Sequence, residues 1–351
     1  MTQYLSDKIK LLSFILILFV LYIHSSFHSD EIHGMYWNDF IQEFISGKIG
    51  RLAVPLFYIL SGYLFFRNTE NGLTSIYTKI RKRINSLLIP YILACLFFVL
   101  FAITVNTNPI INHYMNGSIL PLFKKTIPEI LKSIFWSSES GTPMAFQLWF
   151  LRDLIVIVAI SPIIYFVIKY FRWWASCLFF CLSFVTVIEP ISLFSSIFWF
   201  VLGATLTFTN TPIEFNKTKW GWIILLIYLT ISLFEQIYSW FYFSYLQNFL
   251  ILTGILALWL CYDNIVGQKF SLKENKWLSI ICSFTFFIYL FHEPTINIVR
   301  KLIVILLGQN SVGYLISYLT SPFIFILLAI VIGIFLKKRI PNFYSILVGG
   351  R

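Results

Sequence analysis

Ten strongly apolar segments follow one another along the chain, separated by shorter polar stretches. A helix needs about 20 apolar residues to cross the hydrocarbon core of a bilayer, and shorter segments can recruit flanking residues. The pattern therefore predicts an all-α, polytopic integral membrane helical bundle of about ten transmembrane helices. The segments cover residues 11–27, 52–66, 86–105, 148–168, 173–188, 191–209, 220–234, 249–262, 277–292 and 314–336.

The composition excludes a water-soluble fold. Of the 351 residues, 58% are hydrophobic and only 12% are charged, whereas soluble domains are roughly half apolar and roughly one quarter charged. So much apolar surface requires lipid as its solvent. The longest polar stretch, 106–147, is too short for a separate catalytic domain, so residues 1–351 are predicted to form one transmembrane domain.

The 26 lysines and arginines are distributed unevenly between the two sides of the predicted bundle. Eighteen lie at the two termini and in the loops 67–85, 169–172, 210–219 and 263–276, whereas seven lie in the alternate loops. Because cytosolic loops are enriched in Lys and Arg, both termini are predicted to be cytosolic. The net charge of +11 therefore reflects topology, and nucleic acid is not predicted as a partner.

His24 is a titratable side chain near the outer end of the first apolar segment. It lies ~21 Å beyond Lys10 on a helix, about two-thirds of the way across a ~30 Å hydrocarbon core. A neutral imidazole there suits general-base chemistry, and the alternative is an interfacial histidine bonded to a backbone carbonyl. A third interpretation is a metal site with His28, Asp30, Glu31 and His33. Such polar loop residues are usually solvated, so no metal is predicted.

His292 and Glu293 lie at the end of the ninth apolar segment and precede Pro294. Because proline disfavours helix at the residue before it, we expect this helix to end near His292. Two interpretations are open for the pair. It either orients a catalytic base or binds an acceptor, or His292 only interacts with the negative end of the helix dipole.

Arg152 and Asp153 lie inside the fourth apolar segment, where charge is costly and a functional role is the default hypothesis. Adjacent residues on a helix point about 100° apart, so the two side chains need not pair with each other. Arg152 is expected to bind an anionic group of a substrate or to pair with an acid such as Glu293. A structural ion pair is the alternative.

A basic cluster surrounds the loop between the second and third segments. Its members are Arg67, Lys79, Arg81, Lys82 and Arg83. Such a cluster is usually a consequence of membrane topology, but it also suits the phosphates of a nucleotide-type donor. The chain has no glycine-rich phosphate-binding loop of the Walker or Rossmann type.

Five sequence features, in the same order along the chain, resemble the acyltransferase-3 family of bacterial membrane proteins. They are His24; VPLFYILSGYL over 54–64; the basic run Lys79 to Arg83 followed by Ile89-Pro90-Tyr91; Leu148-Trp149-Phe150-Leu151; and Phe287-Ile288-Tyr289-Leu290-Phe291-His292. The resemblance implies transfer of an acetyl or other short acyl group from cytosolic acyl-CoA. The implied acceptor is a hydroxyl of an envelope polysaccharide or lipid-linked sugar, and the implied location is the bacterial cytoplasmic (inner) membrane.

The resemblance also implies roles for individual residues. The essential histidine of the family maps to His24, which either deprotonates the hydroxyl directly or carries the acyl group in two steps. The family has a basic residue eleven positions earlier, where this chain has Ser13. Lys10 lies on the same helix face, one turn closer to the cytosol, and is the candidate replacement.

The predicted site therefore has three parts. The catalytic residues are His24, His292 and Glu293. The residues that bind the donor, acetyl-CoA, are Lys10, Arg67, Lys79, Arg81 and Arg83. The residues that contact the substrate are Arg51, Arg152 and Ser61.

Two other classes of protein share the same general sequence features. A transporter or flippase for a lipid-linked sugar would also be polytopic, basic inside and sparse in buried polar groups. Transporters often have repeated halves with helices broken at corresponding positions, and neither feature is convincing here. A structural partner within a polysaccharide synthase is the second alternative.

Overall fold

A computed structural model describes residues 1–27, 32, 34–69, 72–108, 126–136, 141–185, 193–215, 217–238, 244–267 and 270–350. Every regular element in these ranges is a helix, as expected for an all-α bundle. The α-helices are α1 (Gln3–Ser25), α2 (Tyr36–Gln42), α3 (Ala53–Phe66), α4 (Leu73–Arg83), α5 (Ile89–Thr107), α6 (Ile127–Ser133), α7 (Trp149–Ala159), α8 (Ser161–Phe171), α9 (Trp173–Val185), α10 (Leu193–Phe208), α11 (Trp220–Tyr238), α12 (Ser244–Ile265), α13 (Lys276–Ser283), α14 (Thr285–Leu307), α15 (Ser311–Arg339) and α16 (Pro341–Leu347).

Short π and 3-10 segments join some of these helices into longer ones. Residues Glu43–Ile49 and Gly50–Leu52 connect α2 to α3, and Ile84–Leu88 connects α4 to α5. Six helices of the described chain are long and apolar enough to cross a membrane. They are Gln3–Ser25, Tyr36–Phe66, Leu73–Thr107, Trp220–Tyr238, Gln247–Ile265 and Ser311–Arg339.

The fourth and ninth predicted segments are not straight helices. A bend of 66° separates Phe146–Ala159 from Ser161–Phe171, and the pair counts as a seventh crossing if it is one span. Two shorter apolar helices, Trp173–Ser183 and Leu193–Phe208, account for the fifth and sixth segments. The structure thus confirms a helical membrane bundle, whereas the number ten and the side of the termini stay predictions.

The helix that contains His292 is interrupted where we expected it to end. Helix α14 consists of two helical stretches, which meet at Glu293, and the second extends to Leu307. Its backbone departs from helical geometry only at Glu293, where φ is −101° and ψ is 138°. Pro294 explains this break, because its ring disfavours helix at the preceding residue and it lacks an N–H. The chain after Pro294 then resumes the helix.

Helices α3 and α10 pack with their backbones in direct contact. A Cβ added to Gly62 would lie 2.0 Å from the carbonyl oxygen of Phe200, and one added to Gly203 would lie 1.9 Å from that of Ile59. Neither distance is sterically possible, so both positions require glycine. Small residues at such contacts let membrane helices approach closely, where packing replaces the hydrophobic effect as the driving force.

Helix α1 lies inside the bundle and packs against α3, α14 and α15. Its leucines Leu12, Leu16 and Leu21 are fully buried. Near its start, Lys8 Nζ lies 2.8 Å from both carboxylate oxygens of Asp263 on α12, and both side chains are buried. Breaking a buried pair leaves an uncompensated charge in a low-dielectric interior. This pair therefore fixes the position of α1 along its axis.

Candidate active site

His24 lies at the last turn of α1 and faces the interior of the bundle. Its side chain is 17% exposed, and its Nδ1 atom lies 3.7 Å from Oε1 of Glu293. Its ring centroid is 4.7 Å from that of His292 and 5.7 Å from that of Phe146. The three predicted catalytic residues thus form one cluster, although His24 is distant in sequence from His292 and Glu293.

His292 is completely buried within this cluster. Its Nδ1 atom lies 2.6 Å from the carbonyl oxygen of Tyr289. Because a carbonyl only accepts hydrogen bonds, Nδ1 carries the proton, and Nε2 presents its lone pair. In the described part of the chain Nε2 has no hydrogen-bond partner. It is therefore a buried acceptor atom whose hydrogen-bonding capacity is unused in this part of the chain.

The break in α14 positions Glu293. At this residue the backbone leaves the helix, so the carbonyl group is free of the α14 hydrogen-bond ladder and accepts a bond of 3.3 Å from Nε2 of Gln147. The carboxylate is consequently directed toward His24 rather than along the helix surface. A carboxylate beside an imidazole stabilises the imidazolium form, as in other His–carboxylate pairs.

Arg300, which the sequence analysis did not select, lies two turns beyond Glu293 on α14. Its guanidinium group donates to the carbonyl oxygen of Ser26 and lies 4.6 Å from the ring centroid of Phe27. Its Nε atom donates to Asn297 over 3.0 Å. The charge of Arg300 acts electrostatically on both His24 and Glu293. Arg300 falls in a stretch predicted to be a loop, where a basic residue does not by itself indicate a functional site.

A cavity of about 600 Å³ extends into the bundle beneath the His24 cluster. We call it the basic cavity, because Lys10, Arg83 and Lys273 line it together with Ser13 and Ser61. At its inner end it reaches residues Ile17, Phe150 and Tyr289.

The inner end of the basic cavity lies close to the His24 cluster. Ile17 is two helical turns from His24, or about 10 Å along α1. The Tyr289 ring lies 5.8 Å from the His292 ring, centroid to centroid. Its hydroxyl donates to the carbonyl oxygen of Gln147 over 3.3 Å. Tyr289 therefore stands between the basic cavity and the imidazoles.

The predicted donor-binding residues divide into two groups. Lys10 and Arg83 line the basic cavity, where Lys273, missed by sequence reasoning, joins them. Lys79 instead donates from Nζ to the carbonyl oxygens of Phe65, at 2.8 Å, and of Arg67.

The remaining members of the basic cluster lie elsewhere. Lys79 neutralises the carbonyl end of α3. Arg81 is exposed on the surface of α4, and Arg67 lines a separate pocket on another side of α3. The structure thus brings together only part of the predicted donor set.

The predicted substrate-binding residues are also spread over different places. Arg51 is exposed within the turn Gly50–Leu52. Ser61 lines the basic cavity, on the side of Lys10 rather than beside His24.

Arg152 is buried and pairs with its neighbour Asp153, which is one of the two interpretations left open by the sequence. Its Nε and Nη2 atoms donate to Oδ1 of Asp153 over 2.9 and 2.7 Å, and Nη1 donates to the carbonyl oxygen of Gly141 over 2.9 Å. The flexible aliphatic chain of Arg152 lets its guanidinium group reach Asp153, although adjacent residues point about 100° apart around a helix. These contacts favour the structural ion pair over a pairing with Glu293.

The metal interpretation of the first loop gains no structural support. In the described ranges no group of three His, Cys, Asp or Glu side chains could hold a metal ion. The four other residues of that hypothesis, His28, Asp30, Glu31 and His33, lie outside the described residues.

Comparison with known proteins defines the class of this membrane bundle. Residues 7–337 match the family described as an acyltransferase domain, which identifies a membrane acyltransferase. Because this match covers nearly the whole sequence, the chain belongs to the acyltransferase-3 family. It is also similar to the succinoglycan biosynthesis protein ExoH of Rhizobium meliloti (strain 1021), with 22% identity over 365 residues that cover 99% of this chain and 92% of that protein. No solved structure gives a significant match.

Proposed function

We propose that this protein transfers an acetyl group from cytosolic acetyl-CoA to a hydroxyl of an envelope polysaccharide or lipid-linked sugar. The observation that carries the proposal is the His24–Glu293 pair, with 3.7 Å between Nδ1 and Oε1, beside the inner end of the basic cavity. The similarity to a protein of succinoglycan biosynthesis supports a glycan acceptor. In this proposal the protein spans the bacterial inner membrane ten times with both termini in the cytosol.

The basic cavity is the proposed donor site. Lys10, Arg83 and Lys273 bring three positive charges to its lining against one acid, Asp7, and this basic excess suits the phosphates of CoA. The pantetheine arm then extends past Ser13 and Ser61 toward Tyr289. Lys10 and His24 are ~21 Å apart along α1, so an extended arm is required to bring the thioester to the imidazole. Rotation of the Tyr289 ring then opens a path between the inner end of the basic cavity and His24.

The proposed chemical step is direct transfer with His24 as general base. Because Nδ1 of His24 faces Glu293, Nε2 accepts the proton of the acceptor hydroxyl while its oxygen bonds to the thioester carbonyl carbon. The C–S bond then breaks, and the thiolate of CoA takes the proton from Nε2. The products are the O-acetyl ester and free CoA. Glu293 stabilises the imidazolium that exists between the two proton transfers.

His292 has a different role in this proposal. Its Nδ1–H donates to the neutral carbonyl oxygen of Tyr289 rather than to a carboxylate. An imidazolium at His292 would therefore lack the counter-charge that Glu293 gives to His24, so His24 is the better base. Its free Nε2 accepts a hydrogen bond from a second hydroxyl of the sugar and so orients the acceptor. A sugar, which carries neighbouring hydroxyls, suits this arrangement better than a simple alcohol does.

Mass spectrometry of the envelope glycan tests the proposed function. We expect glycan from cells that contain the gene to carry acetyl esters that are absent from cells lacking it, with equal amounts of exported glycan. Loss of export together with loss of the ester would instead support the flippase. Loss of a different acyl group would refute acetyl as the transferred group and leave the enzyme class intact.

Replacement of Arg83 tests the donor site. We expect Arg83→Gln to raise the KM for acetyl-CoA about tenfold with little change in kcat, because one charge-assisted hydrogen bond to a phosphate is lost. Steady-state kinetics of the full chain in lipid nanodiscs gives both constants. Arg81→Gln is the matched control, because Arg81 is exposed on the same helix and lies off the cavity lining. Equal effects of the two variants would refute the assignment.

A further inference from the structure

An apolar groove opens on the side of the bundle between α3, α10 and α12. It has a volume of about 240 Å³, and the part of the chain described here contributes no charged residue to its lining. Leu252 and Leu256 form its rim and are 37% and 43% exposed toward the lipid. We call it the lateral groove. Its other lining residues include Leu56, Ile59, Leu202 and Ile255.

A polar pocket of about 510 Å³ continues from the lateral groove. Tyr63, Leu206 and Thr211 line both spaces, so the two adjoin each other. We call the second space the Arg67 pocket. Its polar lining residues are Arg67, Asn68, Thr69, Thr207 and Asn210. An apolar groove that adjoins a polar pocket suits an amphiphilic ligand.

The charge in this pocket favours an anion. Nη1 of Arg67 is buried and has no hydrogen-bond partner among the described residues. Leaving a buried donor unsatisfied is costly, and the cost is larger for a charged group. The C-terminal ends of α3 and α10 lie nearby and would repel an anion. Lys79 counters this effect at α3, where Nζ binds the carbonyl oxygens of Phe65 and Arg67.

Helix α3 lies between this site and the basic cavity. Phe57, Ser61 and Leu64 line the basic cavity, whereas Ile59 and Tyr63 line the lateral groove, and Leu60 lines both spaces. Arg67 lines neither of them but the adjoining polar pocket. CoA phosphates bound by Lys10 and Arg83 would therefore lie away from Arg67. We expected Arg67 to bind the donor, and its position leads to a different assignment.

We propose that the protein binds one anionic phospholipid at this position. Its phosphate occupies the Arg67 pocket and forms a charge-assisted hydrogen bond with Nη1. One of its acyl chains lies in the lateral groove. A phospholipid of the surrounding leaflet is the occupant because the groove opens directly to lipid, and basic pockets between membrane helices suit anionic headgroups. A water-soluble anion would leave the apolar groove unfilled.

Native mass spectrometry of the full chain tests the proposal. The protein is purified, stripped of lipid with detergent, and titrated with phosphatidylglycerol or with zwitterionic phosphatidylethanolamine. We expect one tight phosphatidylglycerol adduct whose affinity falls about tenfold in Arg67→Gln. We also expect it to fall in Leu256→Trp, which fills the groove from an exposed position. The matched controls are Arg81→Gln and Leu226→Trp, both exposed and away from the two spaces.

Two results would overturn the proposal. The first is equal affinity of the wild-type chain for phosphatidylglycerol and phosphatidylethanolamine, since the anionic charge would then be irrelevant. The second is an Arg67→Gln variant that retains the lipid adduct but binds CoA about tenfold more weakly, as expected for Arg83→Gln. Arg67 would then be a donor ligand. Neither result depends on the chemistry at His24, so failure here is distinguishable from failure of the proposed function.

Discussion

His24→Ala is expected to lower acetyl transfer about 10³-fold, within the range that general-base catalysis contributes. The substitution removes the atom that accepts the hydroxyl proton. His292 is a poor replacement, because its Nδ1 donates to the neutral carbonyl oxygen of Tyr289 over 2.6 Å rather than to a carboxylate that would stabilise an imidazolium. The affinity for acetyl-CoA should be unchanged, because the basic cavity does not include His24. The measurement is transfer of radiolabelled acetyl groups to glycan by the full chain in nanodiscs.

Tyr22→Phe is the matched control for this variant. Tyr22 lies two residues earlier on α1, and its hydroxyl donates to the carbonyl oxygen of Leu319 over 3.3 Å, away from the cluster. We expect near-normal transfer from it. A His24→Ala protein that binds acetyl-CoA normally and retains more than about one tenth of the transfer rate would contradict the role of His24 as general base.

Glu293→Gln is expected to lower kcat about 10²-fold while the KM for acetyl-CoA stays constant. The amide keeps the shape of the side chain but removes the negative charge 3.7 Å from Nδ1 of His24. The imidazolium that forms during transfer then loses its stabilising partner. Glu293→Asp keeps the negative charge at a greater distance from His24, so its kcat should lie between those of the wild-type chain and Glu293→Gln. Steady-state kinetics with varied acetyl-CoA separates kcat from KM.

Glu235→Gln is the control for this second variant. Glu235 is also a buried acid with a basic partner, Lys48, whose Nζ lies 3.2 Å from Oε1. Loss of that pair affects stability but should leave kcat unchanged. If both glutamine variants lower kcat equally, the effect of Glu293 is structural and the proposed role is wrong.

The sequence was sufficient for the fold class but not for the shape of individual helices. The length of the apolar segments and the low content of charged residues predicted a membrane bundle, because these two quantities decide whether lipid or water is the solvent. The bend between Ala159 and Ser161 and the continuation of α14 beyond Pro294 depend on packing against other helices. A local rule therefore located the break at Glu293 correctly and could not say that the helix resumes after it.

The candidate catalytic residues were selected for a physical reason. Titratable groups inside apolar segments are rare because they are costly there, and this rarity selected His24 and His292, together with Arg152 and Asp153. Glu293 was selected as the neighbour of His292. Arg300 and Lys273 were missed because both fall in stretches assigned to loops, where basic residues are expected.

The donor set was predictable only in part. Charge spacing shows that Arg67 and Arg83 share a loop region, but it does not show on which side of α3 each side chain lies. The same limit applies to Arg152, whose bond to Asp153 depends on side-chain rotamers rather than on helix geometry.

The contact between Gly62 and Gly203 has a consequence for how substrates reach the interior. The two backbones touch at these glycines, so relative movement of α3 and α10 is sterically restricted. Helix α3 lines both the basic cavity and the lateral groove. Widening of the basic cavity to admit a bulky thioester is therefore expected from its other lining helices, among them α1, α7, α13 and α14. Entry of the donor and the position of the imidazoles are in this way linked, because His24 lies on α1 and His292 on α14.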